Sequence, residues 1–170
     1  MYTIDHLDTI AGLTDVPQSS VGAPCPMVLC GEHFLHLAYI LQADLAGWDG
    51  RTIRVVGEHT ADEMCALVRF KSVDAHMFGP PNDEAFTGHP LAGRGLKPYS
   101  VAEVLNSSWV RELERMNSVH PHHRKERYEK LRHFVFAFHD TTFECVAEGF
   151  NLSTHRGSVS SVLRDSWPER

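Results

Sequence analysis

The chain has 170 residues, of which 42% are hydrophobic, and carries a formal net charge of −6 with neutral histidines. This length suits one domain, which can bury a sizeable core without disulfide bonds or a structural metal. The acidic balance disfavours general binding to nucleic acid or to anionic membranes, and the scattered cysteines, with no CxxC pair, argue against a disulfide framework.

The two ends of the chain differ in composition from its middle. Residues 1–20 are mixed and polar and predict an N-terminal arm, residues 21–152 predict a single sheet-rich domain, and residues 153–170 predict a polar C-terminal tail or a last element. The start of the chain lacks the features of a signal peptide, and no apolar run approaches the ~20 residues of a spanning helix. We therefore expect a soluble, cytoplasmic protein that does not contact a membrane.

Several segments in the first half of the chain have the composition of strands. Residues 27–30 and 33–41 flank a Gly-Glu turn, and the second of them is apolar on both faces, which predicts a central strand. Residues 52–56 predict a short strand. Residues 64–73 alternate apolar with charged side chains, as a strand with one buried face does.

A stretch rich in proline and glycine, residues 78–99, follows these segments. Its composition excludes a long helix or a central strand, and a loop longer than about 12–15 residues is often functional. Its apolar residues predict an ordered loop packed on the sheet. His89, held between a glycine and a proline, is a candidate catalytic residue, or else a loop histidine bonded to the backbone. Candidate ligand-binding residues in this loop are Asn82, Asp83 and Arg94.

Two helices are predicted in the segment that follows the loop. Ser100 and Glu103 match a capping box, and apolar residues at helical spacing predict the main helix over 101–117, with residues 106–108 as an alternative start. A second, short helix is predicted over 120–131. Its basic side chains have no interleaved aromatic residue beyond Tyr128, which indicates a solvated helix face and makes nucleic-acid binding an unfavoured function.

The strongest local pattern spans residues 133–152. Phenylalanines alternate with other residues over its first part, which is typical of a strand with one buried face. A two-residue turn at residues 141–142 places His139 opposite Glu144, with phenylalanines on one face and histidines and glutamates on the other. Because Thr-Thr is not a favoured two-residue turn, a longer loop that shifts the pairing is the alternative.

The hairpin face opposite the phenylalanines supplies the candidate site. A carboxylate beside an imidazole orients the ring and raises its pKa, as a general base or a metal ligand requires. His139 and Glu144 are therefore candidate catalytic residues, and His133 and Glu148 are candidate ligand-binding residues. The set of His133, His139 and Glu144 also suits Zn or Fe. The alternative is a solvated face with an ordinary cross-strand ion pair.

These patterns predict an α+β fold that consists of an antiparallel or mixed twisted sheet of about six strands, one main helix and one short helix. The twist of such a sheet allows a half-barrel. The favoured function is a small-ligand or protein-partner-binding domain, whose pocket is lined by the 78–99 loop and the His/Glu face of the hairpin. The alternatives are a metal-dependent or His-based small-molecule enzyme that uses His139 and Glu144, and an assembly subunit that forms homo-oligomers. The sequence contains no P-loop, GxGxxG or GxSxG signature, so none of these motifs indicates a substrate.

Overall fold

The computed structural model describes residues 2–42 and 55–168 of the chain. Within these residues there are nine strands, three α-helices and two 3-10 turns. The strands are β1 (Thr9–Gly12), β2 (Met27–Gly31), β3 (Phe34–Ile40), β4 (Glu63–Lys71), β5 (Ala75–Gly79), β6 (Val101–Leu105), β7 (Arg132–Ala137), β8 (Thr142–Ala147) and β9 (Gly149–Gly157). The helices are α1 (Ser108–Asn117), α2 (Lys125–Tyr128) and α3 (Val159–Asp165), and the 3-10 turns are Phe86–Gly88 and Ala92–Arg94.

The strands form two antiparallel sheets. One has five strands in the order β1-β6-β7-β8-β5, and the other has four in the order β2-β3-β4-β9. The chain passes between the sheets from β1 to β2, from β4 to β5 and from β8 to β9. The last two crossings meet where the amide of Glu148 donates to the carbonyl of Lys71. The predicted α+β class is confirmed, although the strands divide between two sheets instead of forming one sheet or a half-barrel.

A core rich in phenylalanine joins the two sheets. Alternate residues of β7 point into it, because successive side chains of a strand face opposite sides of the sheet. The rings of Phe136 in β7 and Tyr39 in β3 lie 6.3 Å apart and so connect one sheet to the other. The buried members of this core are Leu35, Leu37, Tyr39, Ala66, Val68, Phe70, Phe134, Phe136, Phe138, Phe143, Cys145 and Ala147.

Each sheet is covered on its outer face. Helices α1 and α2 and the loop before β6 cover the five-stranded sheet, and the buried side chains of Phe86, Leu91 and Leu96 confirm that this loop is ordered and packed on the sheet. Helix α3 covers the four-stranded sheet through Val159 and its neighbours. Among the described residues, no helix is long and apolar enough to cross a membrane.

The helix predicted over 101–117 is wrong in its first part. The first five residues of this segment form β6, which pairs antiparallel with β1 and β7. Ala102 and Val104 are buried, whereas Glu103 between them binds Arg132. The segment therefore has the alternating burial of a strand, and its pairing partners on both sides decide its conformation.

Helix α1 begins after Ser107. The Oγ of Ser107 accepts hydrogen bonds from the amides of Trp109 at 3.2 Å and Val110 at 3.3 Å, which would otherwise have no partner in the first turn. The capping box predicted from Ser100 is therefore wrong, and the alternative start at residues 106–108 is confirmed. Helix α2 is also shorter than predicted and has four residues.

The β7–β8 hairpin turns two residues earlier than predicted. Val135 lies opposite Glu144, and the amide of Phe138 donates to the carbonyl of Thr141 at 2.8 Å, so the turn consists of residues 139–140. Aspartate favours turns, whereas β-branched threonines favour strands. The two faces of the hairpin nevertheless agree with the prediction, because the register moves by an even number of residues.

The other strand predictions have different outcomes. Strands β2, β3 and β4 lie where the sequence predicts them, and β3 is central in its sheet. The single strand at the end of the predicted hairpin is divided at Glu148 into β8 and β9, which belong to different sheets. Residues 52–54 of the strand predicted over 52–56 lie outside the described residues, and Val55 and Val56 are not in a strand.

Candidate functional site

A buried carboxylate lies under the loop on the outer face of the five-stranded sheet. Glu144 of β8 is 5% exposed, His133 of β7 is 0% exposed and His89 of the loop is 4% exposed. The Nε2 atoms of His133 and His89 lie 2.8 Å from Oε2 and 3.3 Å from Oε1 of Glu144. The hydroxyl of Tyr2 donates to Oε2 at 2.7 Å. Three predicted site residues therefore converge in what we call the Glu144 cluster (Tyr2, His89, His133 and Glu144).

The surroundings of the two histidines determine which nitrogen carries a proton. The amide of Leu91 donates to Nδ1 of His89 at 3.1 Å, so Nε2 of this ring donates to Glu144. The Oγ of Ser107 accepts two amides of α1, which leaves its proton for Nδ1 of His133 at 2.9 Å. Both rings therefore direct an Nε2 proton at Glu144.

The hydrogen bonds of the Glu144 cluster stabilise this charge. Burial opposes ionisation of Glu144, but the bonds from His133, His89 and Tyr2 together outweigh it and lower the pKa of the carboxyl to about 2. Burial and the neighbouring carboxylate raise the pKa of Tyr2. The ring of Tyr2 also stacks on Trp109 at 5.2 Å. Since each polar side-chain atom of the cluster has a partner inside the protein, the cluster leaves none free for a ligand.

A second cluster, the Asp83 cluster (Asp83, Tyr99 and His139), lies at the hairpin turn. Nδ1 of His139 lies 3.0 Å from Oδ2 of Asp83 and 2.8 Å from the hydroxyl of Tyr99, which itself donates to Asp83. The side chain of His139 is 40% exposed. The predicted pairing of His139 with Glu144 is therefore wrong, because the shifted turn takes His139 off the strand and brings it to Asp83.

The charges of the Asp83 cluster orient the imidazole. The hydrogen bond from Tyr99, with that from His139, lowers the pKa of Asp83, and the same bond raises the pKa of Tyr99 to about 12. Because the carboxylate of Asp83 accepts from Nδ1 of His139, this nitrogen fixes the orientation of the ring, and Nε2 lies 3.9 Å from Oδ1 of Asp140. The backbone of Tyr99 has a φ of 56°, a strained conformation that is enriched at functional sites.

Tyr99 also lines a cavity of about 490 Å³ at one end of the phenylalanine core, which we call the end cavity. Residues 13–18, the crossing segment, run from β1 in the five-stranded sheet to the bridge between Ser19 and Leu41 beside the four-stranded sheet. This segment lines the cavity together with β3, the start of β6 and the end of β7. The volume lies within the range of about 300–1,000 Å³ that is common for small-molecule sites.

The remaining predicted ligand-binding residues lie elsewhere. The guanidinium of Arg94 donates to the carbonyl of Asp5 at 3.0 Å, and Oδ1 of Asn82 accepts from the amide of Ala85 at 3.0 Å. Glu148 is exposed between β8 and β9. These residues make local contacts and line neither the Glu144 cluster nor the end cavity.

The structure does not assemble the predicted metal site. His133 and Glu144 are in contact, whereas His139 binds Asp83 at the turn. In the part of the chain that the structure describes, no group of three or more His, Cys, Asp or Glu side chains is placed to hold a metal ion. The set of His133, His139 and Glu144 predicted for Zn or Fe therefore has no support in the geometry.

Several residues of these sites were not identified from the sequence. Tyr2 is separated from Glu144 by 142 positions, and no local pattern connects them. Ser107 could have been identified, since a serine directly before a helical pattern is typical of an N-cap.

Comparison of the chain with protein-family models, with curated proteins and with solved structures found no match.

Proposed function

We propose that the protein binds a small molecule in the end cavity. The position of Tyr99 carries this proposal, because Tyr99 lines the cavity while Asp83 and His139 hold its hydroxyl. A rigid aromatic side chain whose polar end is already bonded is a preorganised contact for a ligand. The proposal keeps the small-ligand function expected from the sequence but moves the pocket away from the His/Glu face, which the loop covers.

The composition of the cavity walls supports the same function. At its base, the buried rings of Tyr39 and Phe138 lie 5.2 Å apart. At its mouth, Nε2 of the Gln18 side chain donates to the backbone carbonyl of Tyr99 at 2.9 Å, and Asp15 is exposed. An apolar base with a few polar groups at the opening is the usual arrangement of a small-molecule site.

A ligand-observed NMR screen of a fragment library tests this proposal. Thr14→Trp places a large side chain at the mouth of the cavity, and Thr87→Trp makes the same change at an exposed position that does not line it. We expect fragments that bind the wild type and Thr87→Trp but not Thr14→Trp. Fragment binding that survives Thr14→Trp, or a library without a single binder, would contradict the proposal.

The Asp83 cluster supports a second candidate function, acid–base catalysis. Asp83 orients His139 through Nδ1, and the 40% exposed side chain presents Nε2 towards solvent, with Oδ1 of the exposed Asp140 at 3.9 Å. A general base positioned by a carboxylate has this arrangement. This candidate retains the His-based enzyme expected from the sequence, with Asp83 in place of Glu144 as the partner of His139.

Turnover of a panel of esters, amides and phosphoesters tests the catalytic candidate. His139→Gln removes the base, and His76→Gln changes an exposed histidine of the edge strand β5. We expect turnover of at least one substrate, with a loss of about 10²–10⁴-fold in His139→Gln and none in His76→Gln. Equal activity of the two variants, or no turnover of any substrate, would rule this function out.

A further inference from the structure

We infer that the end cavity recognises a cationic amine that carries an aromatic body. This inference rests on the proposed binding function and adds the chemical class of the ligand. Of the described side chains that line the cavity, Asp15 alone is charged, and the others are apolar, aromatic, hydroxyl-bearing or amide-bearing. A ligand that carries one positive charge is therefore the one whose charge the cavity matches.

The carboxylate of Asp15 is exposed where it lines the cavity. Among residues 2–42 and 55–168, no side chain forms a hydrogen bond or ion pair with it. Its charge contributes to the raised pKa of Arg132, but the main cause is Glu103, which accepts from Nε of Arg132 at 3.0 Å and from a second guanidinium nitrogen. Since Arg132 is already paired with Glu103, no cation among the described residues competes with a ligand for Asp15.

Further negative charge lies beside Tyr99, whose hydroxyl donates to Asp83. Asp83 and Asp140 both act on Tyr99, a residue of the cavity wall, and both raise its pKa. No lysine, arginine or histidine is among the described residues that line the cavity. With the net charge of −6, this distribution attracts amines to the mouth and repels carboxylates and phosphates.

The aromatic side chains supply the contact for the body of the ligand. Tyr39 and Phe138 are the buried aromatic residues of the cavity wall, and Tyr99 is a half-buried one. Aromatic rings pack on one another and attract an ammonium group within about 6 Å of the ring face. An arylalkyl amine, with its ring towards the base and its ammonium towards Asp15, satisfies both ends of the cavity.

Calorimetric titration with three probes that share an indole ring tests the charge preference. Tryptamine is cationic, tryptophol is neutral and indole-3-propionate is anionic at neutral pH. We expect tryptamine to bind about tenfold more tightly than tryptophol, which corresponds to one charge-assisted hydrogen bond, and indole-3-propionate to bind most weakly. Equal affinities for tryptamine and tryptophol would overturn the amine class and leave the binding role of the cavity intact.

Two isosteric variants locate the effect. Asp15→Asn removes the charge at the mouth, and Asp165→Asn makes the same change at an exposed position in α3. We expect Asp15→Asn to weaken tryptamine about tenfold without changing tryptophol, and Asp165→Asn to change neither. Equal losses in both variants, or no binding of any probe, would overturn the amine class. The fragment screen with Thr14→Trp tests whether the cavity binds ligands at all, independently of the chemical class of the ligand.

Discussion

Glu144 is ionised inside the protein because three hydrogen-bond donors converge on it. His133 comes from the neighbouring strand, His89 from the loop and Tyr2 from the N-terminal segment, so one carboxylate joins parts of the chain that are far apart in sequence. A buried carboxylate without such partners costs several kcal/mol. The cluster is therefore expected to contribute to stability and not to ligand contact.

Replacement of Glu144 by glutamine converts one acceptor oxygen into a donor, so at least one of the three donors loses its acceptor. We expect Glu144→Gln to lower the free energy of unfolding by about 2–4 kcal/mol at neutral pH, as measured by urea denaturation. Glu148→Gln makes the same change at an exposed position and should cost less than about 0.5 kcal/mol. Similar losses in the two variants would contradict the role of the cluster.

Glu144→Gln should also change the way in which the free energy of unfolding depends on pH. The pKa of Glu144 in the folded protein is about 2, below the ordinary value of about 4.3, so folding favours the ionised form. This contribution is complete above about pH 4.3 and is lost as the pH falls towards 2. We expect the wild type to lose stability more steeply than Glu144→Gln over this interval. Parallel curves would show that the carboxyl is not stabilised by folding.

Among the elements, the β7–β8 hairpin shows what a local pattern can determine. Its two faces were predictable because apolar and other side chains alternate with the period of a strand. Its register depends on the position of the turn, for which the sequence offers both residues 139–140 and the threonines 141–142. The sequence predicts helix where β6 lies, because Val101 and Leu105 are four residues apart, which is also helical spacing. Pairing with β1 and β7 decides its structure, and both strands are remote in sequence.

The start of α1 gives a prediction for this element. Ser107→Ala removes the cap of α1 and the partner of His133, and we expect the free energy of unfolding to fall by about 1–2 kcal/mol. Ser100→Ala should cost less than about 0.5 kcal/mol, since Ser100 precedes a strand and is not a helix cap. Thermal or urea denaturation compares the two. A larger loss in Ser100→Ala would indicate that the helix starts at the earlier serine.

The molecule as a whole depends on contacts that no local pattern specifies. The sequence identified Asp83, His89, His133, His139 and Glu144 by their chemistry. The topology decides which of these residues are in contact. It brings together His89 and Glu144, which are 55 positions apart in the sequence, and Asp83 and His139, which are 56 positions apart. The end cavity exists only after the crossing segment has connected the two sheets. Assembly into homo-oligomers stays a prediction of the sequence.

The shared phenylalanine core should make the two sheets unfold together. Phe136 is 0% exposed and contacts rings from both sheets. We expect Phe136→Ala to lower the free energy of unfolding by about 3–5 kcal/mol while circular dichroism and tryptophan fluorescence still report one transition. Phe78→Ala, at a position 43% exposed in the edge strand β5, should cost less than about 1 kcal/mol. Separate transitions for the two probes would contradict a shared core.

Ligand binding in the end cavity can be located by titrating the ¹⁵N-labelled protein with the tightest-binding fragment from the screen while amide chemical shifts are recorded. We predict saturable shift changes concentrated in residues 13–19 and 99–101, which line the cavity. Changes centred on the Glu144 cluster, or spread over the surface without saturation, would contradict the claim.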